Sequence, residues 1–120
     1  MRRTMRTRVV SLRLSLATAA ALERSAEDAR SSVAGALDWL LRNSFGNCEL
    51  LRGLGDCAER PNVKLDARLS EDTVNSLKNT AAQLNISPSV YIRRLLYHLF
   101  VMKRLKYVQF NGRYTLAYRP

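Results

Sequence analysis

Residues that break regular structure are scarce in this 120-residue chain, which has five glycines and three prolines. Hydrophobic residues make up 47% of it. That balance excludes a long disordered chain and allows a real core. The length suits one compact domain or two very small modules. No run reaches about 18 apolar residues, so no transmembrane helix is expected. The single histidine, His98, has no Cys/His constellation beside it, which argues against a zinc site. The two cysteines, Cys48 and Cys57, fall in one irregular stretch. A short-loop disulfide and two reduced thiols both stay open there. The sequence has no nucleophile–base cluster, metal-ligand set or phosphate-cradling Gly-rich loop. An enzyme is therefore the least supported class, and no cofactor is expected.

Acidic residues are absent from the end of the chain. All ten lie at or before Asp72, and Thr73 to Pro120 carries eight Lys or Arg and no acid. The first 13 residues carry five Arg and no acid. The net charge is +10 and the pI about 10.4. Such a chain suits a polyanion, either nucleic acid or an anionic membrane. The segment after Arg2, Arg3, Arg6 and Arg8 alternates and has no continuous apolar core of the signal-peptide kind. It reads as an ordered strand.

What is present is a repeat. RVVSLRLSLATAAAL, residues 8–22, answers VKLDARLSEDTVNSL, residues 63–77, at an offset of 55 positions. The register holds without a gap: Leu22 falls on Leu77, Ala26 on Ala81, and Leu37, Leu40 and Leu41 on Ile92, Leu95 and Leu96. Each copy begins with a period-2 run. Val10, Leu12 and Leu14 take one face, opposite Val9, Ser11 and Arg13. In the second copy Leu65, Ala67 and Leu69 oppose Lys64, Asp66 and Arg68. Ser15 and Ser70 then sit at helix N-cap positions, with Glu71 and Asp72 well placed in a first turn. The spacing predicts helices over about 16–30 and 71–84, broken at Arg30-Ser31 and Asn85-Ile86. Second helices follow, from Ser32-Val33 to about Asn43 and from Ser87-Pro88 to about Lys103. Residues 44–62 form a linker with Leu50, Leu51 and Leu54 packed inward, and room for one helical turn. Asn111-Gly112 in the basic aromatic tail, residues 105–120, signals a hairpin, with an extended arm as the alternative.

One strand-helix-helix unit leaves backbone groups unpaired and buries little. Two units solve this together. The expected fold is α+β: a two-stranded antiparallel ribbon packed on four helices, with the C-terminal hairpin as an addition. The ribbon's outer face is then polar, and such a ribbon fits the major groove of B-DNA. Ser11, Arg13, Lys64, Asp66 and Arg68 are the candidate base readers. Arg or Lys suits guanine and Asp suits the cytosine amine. The same residues are also ordinary solvated strand residues, and Asp66 can instead orient Arg68. Phosphate contacts are expected at the starts of the second helices, from Ser32, Val33, Ser87 and Ser89, with Arg93 and Arg94 nearby. Serine at such places is also a simple helix starter. Trp39, Tyr91 and Tyr97, at helical spacing, read as core or rim rather than base-stacking groups.

VKLDARLSEDTVNSLKNTAAQLNISPSVYIRRLL resembles the ribbon-helix-helix family of bacterial DNA-binding proteins. RVVSLRLSLATAAALERSAEDARSSVAGALDWLL resembles it more loosely. Most members are homodimers giving one strand per chain. Both units lie on one chain here, so the resemblance implies a monomeric single-chain pseudodimer. Length and tandem layout are most similar to accessory proteins of plasmid conjugation and of Agrobacterium T-DNA transfer, the virulence function behind crown gall that is associated with the overdrive sequence. The resemblance implies a bacterial cytoplasmic protein and a preceding amino-terminal region. It also implies sequence-specific binding of double-stranded DNA, beside a relaxase or other DNA-processing protein. The unlike strands imply an asymmetric site. Relatives often carry glycine in the helix–helix turn, and this chain does not. A repressor or antitoxin of the same fold is the alternative. A protein-interaction module with a basic surface is the second, and a membrane-surface role is weaker.

Overall fold

The computed structural model describes residues 6–47 and 49–120. Arg2, Arg3 and Cys48, and with it any Cys48–Cys57 pairing, lie outside the described residues. Among those described, the chain is an α+β fold of five α-helices and two small antiparallel sheets. None of these helices is long and apolar enough to cross a membrane.

The first sheet is formed by β1 (Thr7–Leu14) and β2 (Val63–Ser70), paired antiparallel. Their alternation sorts the side chains. Leu12, Leu14, Ala67 and Leu69 are buried against the helices, and Val10 and Leu65 are half-buried. After each strand comes a pair of helices: α1 (Leu16–Asp28) and α2 (Val33–Arg42), then α4 (Glu71–Gln83) and α5 (Pro88–Leu96). The starts of α1 and α4, and of α2 and α5, are both 55 positions apart, as in the sequence repeat. Four serines cap them. Ser15, Ser32, Ser70 and Ser87 each accept a first-turn N–H, at 3.2, 3.0, 3.3 and 3.2 Å. Each cap is worth about 1 kcal/mol. The weakly signed start at Leu16 is thus secured by Ser15, whose hydroxyl also donates to Thr18 Oγ1.

The turns between the helices dispense with glycine but keep its geometry. Arg30 and Asn85 take φ of 52° and 61°. Ser31 N–H donates to the Ala26 carbonyl and Ile86 N–H to the Ala81 carbonyl, at 2.9 and 3.0 Å. This closes both helices in the Schellman manner. The left-handed residue ends α1 at Asp28, two residues before the periodicity does.

The second helix of the second repeat also differs from its sequence reading. Its α-helical part stops at Leu96, and Tyr97–Val101 form a π-helical turn instead of continuing to Lys103. The wider turn buries three consecutive residues, Tyr97, His98 and Leu99, and Lys103 then takes φ of 52° to release the chain into the hairpin. The hairpin is β3 (Leu105–Phe110) and β4 (Arg113–Tyr118), joined at Asn111 and Gly112, whose φ values are 52° and 76°. Both positive values are what a two-residue hairpin turn requires. Leu105 and Leu116 enter the core. The Tyr107 hydroxyl donates to the Leu40 carbonyl at 2.6 Å.

The linker holds a 3-10 turn at Phe45–Asn47 and the short α3 (Glu49–Arg52), rather than a single turn. Leu51 and Leu54 are buried in the same core. Tyr91 is fully buried and meets Ser44 at 2.7 Å. Ser44 gives its own proton to the Leu41 carbonyl, so Tyr91 is the donor. The core therefore lies under the inner ribbon face and continues beneath linker and hairpin.

Candidate nucleic-acid interface

The outer ribbon face carries Val9, Ser11, Arg13, Lys64, Asp66 and Arg68, all exposed. The register places Arg13 opposite Lys64, Ser11 opposite Asp66 and Val9 opposite Arg68. Ser11 and Asp66 are also equivalents in the 55-residue repeat, so the strand pairing is centred on this pair. Ser11 Oγ donates to Asp66 Oδ1 at 2.6 Å. Asp66 thus receives Ser11, while Arg68 donates to Thr7 Oγ1 at 3.3 Å. Among the described residues, Arg13 and Lys64 have no ion-pair partner. Two like charges directly across an antiparallel pair repel, and nothing in the fold requires them.

A shallow groove of about 290 Å³ joins this face to a helix start. It is lined by Ser11, Leu12, Arg13, Lys64, Ser89 and Arg93. The α5 cap explains which donors remain. Ser87 Oγ holds the Val90 N–H and Pro88 has none, so the Ser89 N–H and hydroxyl are the first-turn donors beside the groove. Three candidate base readers and two candidate phosphate contacts thus meet in one place.

The other half of the ribbon does not match. At the same offset, Lys64 corresponds to Val9, Ser89 to Ala34 and Arg93 to Asp38. Asp38 accepts from both the N–H and the hydroxyl of Ser70, each at 3.2 Å, and pairs with Arg42 at 2.9 Å. Ser32 is exposed and spends its hydroxyl on the Gly35 N–H, while Val33 is half-buried in the first turn. One end of the ribbon is therefore cationic and the other carries a carboxylate where its counterpart has a guanidinium.

Arg93 and Arg94 are both held by the linker. Arg93 meets Asp56 through Nη2 at 2.7 Å and Nε at 3.4 Å. Partial burial pushes the Asp56 carboxyl upward. Hydrogen bonds from Arg93 and the Cys57 N–H, with the charges of Arg93 and Arg94, outweigh it and hold the carboxyl below its ordinary value. Arg94 does not line the groove; its Nη1 donates to the Leu51 carbonyl at 3.2 Å. His98 is buried and bonds the Gly55 carbonyl through Nε2 at 2.8 Å. Cys57 is half-buried, and burial raises its thiol pKa, which makes it a poor nucleophile. No group of three or more His, Cys, Asp or Glu among the described residues is placed to hold a metal.

Tyr91 and Tyr97 are core residues. Trp39 meets Tyr107 and Tyr114 edge-on, with centroids 5.1 and 5.2 Å apart. Phe110, Tyr114 and Tyr118 remain exposed on the hairpin.

Asp56 and Asp38 are the residues that sequence reasoning missed. The repeat itself carried a signal for Asp38, because sliding the chain sets it on Arg93. Nothing local marked Asp56, whose partner is 37 residues away. No family model, curated protein or solved structure matches the chain.

Proposed function

We propose that this chain is a ribbon-helix-helix pseudodimer that binds double-stranded DNA, with β1 and β2 entering the major groove. The observation that carries this is the unneutralised Arg13–Lys64 pair, set across the ribbon in a groove shared with Ser89 and Arg93. Repulsion built into a fold marks a site made for an absent counter-charge. A duplex supplies that charge as phosphate and as guanine acceptors. The basic groove is where the α5 start fixes the backbone and where Arg13 and Lys64 reach base edges. Arg68 and the Ser11–Asp66 pair read nearer the centre and the far half. Unequal halves suit an asymmetric target.

The role is non-catalytic. It fits an accessory factor that marks or shapes DNA for a separate processing enzyme, as in plasmid or T-DNA transfer. The second reading is a repressor or antitoxin built on the same surface. It is favoured by the exposed Phe110 (71%) on a hairpin free to meet a protein partner.

The test is selection of bound duplexes from a random pool at low and moderate salt. Wild type is compared with a variant carrying Arg13→Gln, Lys64→Gln and Arg68→Gln. Wild type is expected to enrich an asymmetric motif, and the folded variant to lose it. Equal enrichment by both proteins removes the ribbon as the reader. A motif inside the protein's own promoter selects the repressor reading, and one beside a transfer origin the accessory role.

A further inference from the structure

We propose that Asp56 competes with DNA phosphate for Arg93, so that the linker sets how tightly the cationic half of the ribbon holds a duplex. This rests on the duplex-binding reading of the groove.

Among the described residues, Arg93 is the one groove cation that already has an anion. Asp56 grips its Nε and Nη2, the fork a phosphate would use. The pair is lopsided in exposure: the Asp56 side chain is 39% exposed and that of Arg93 22%. The carboxylate is therefore the more solvent-accessible partner of the pair. Arg93 sits on a regular helix whose neighbours Ile92 and Leu95 are fully buried, so its backbone stays in place when its partner leaves. Asp56 lies in the stretch between α3 and β2, which has no regular secondary structure beyond turns and bends. Its loop is held by Leu54 in the core and by the Gly55 carbonyl on His98, and Asp56 itself by its link to the Cys57 N–H. Exchanging Asp56 for phosphate thus moves the loop and leaves the helix in place. While Asp56 stays, its charge stands beside the phosphate track and weakens it.

A simple positioning role predicts the opposite result. A carboxylate that aims Arg93 at DNA would make its removal harmful. The experiment measures duplex affinity against salt for wild type, Asp56→Asn, Arg93→Gln and the double variant. Circular dichroism checks that each is folded. Asp56→Asn keeps the shape and one acceptor, so the loop is preserved. Freeing one cation should steepen the log–log salt slope by about 0.9 and tighten low-salt binding roughly fivefold. The gain should vanish in the Arg93→Gln background, because the two changes act through one contact. The proposal is overturned if Asp56→Asn binds equally or more weakly. It is also overturned if the gain persists without Arg93, which would make it a long-range charge effect. A wild type that binds no duplex even at low salt would overturn the duplex reading itself, and this proposal with it. That outcome is distinct from a wild type that binds while Asp56→Asn changes nothing.

Discussion

Replacing Lys64 by glutamate should make the protein more stable and less functional at once. Lys64 faces Arg13 directly across the ribbon, and both are exposed without a counter-ion among the described residues. Cross-strand charge pairs are worth about 0.2–1 kcal/mol, with the sign set by the charges. Lys64→Glu turns a repelling pair into an attracting one, so a gain of about 0.7 kcal/mol is expected, or a Tm rise of about 3 °C. The gain should fade at 1 M salt, where the screening length drops to about 3 Å. Binding should move the other way. One cation is lost and one anion is added in the groove with Ser89 and Arg93. Duplex affinity should fall by at least about tenfold near 0.1 M salt, with a salt slope shallower by about 0.9 or more. Thermal melts at two salt concentrations and fluorescence anisotropy with a labelled duplex measure both. A variant that melts lower than wild type would refute the repulsion argument. One that melts higher but binds DNA as before would refute the assignment of the groove.

Three further predictions concern the scaffold. Arg30→Gly should stabilise the fold, because Arg30 holds φ of 52° at an exposed turn. Relief of about 1–2 kcal/mol of left-handed strain, less about 0.5–1 kcal/mol of glycine chain entropy, leaves a gain of roughly 0.5–1 kcal/mol in urea unfolding. Asn85→Gly should gain less, since asparagine tolerates that conformation. Asp56 titrates in the folded protein below its ordinary value of 3.8. The stability it adds is therefore present above that value and lost as pH falls through the folded one. Urea midpoints measured across the acid range should fall less steeply for Asp56→Asn than for wild type.

The sequence by itself determined the repeat, the faces of both strands and the serine caps, and signalled the Asn-Gly hairpin. All are local patterns. Period-2 alternation fixes which side of a strand is apolar, and a serine before a helical run satisfies an N–H whatever surrounds it. It also determined that Arg13, Lys64 and Arg68 would be exposed, because each sits on the polar parity of its own strand. Tertiary structure alone decided what those charges meet. The register set Arg13 against Lys64 and Ser11 against Asp66. The π-helical turn after α5 followed from burying Tyr97, His98 and Leu99 side by side, a demand no helical period expresses. The linker's path brought Asp56 to Arg93 and the Leu51 carbonyl to Arg94, contacts across 37 and 43 residues that depend on how Leu51 and Leu54 seat in the core. Periodicity records which face of an element is apolar. Which charged groups end within 3 Å of each other depends on where separate elements pack, and no short window of residues contains that.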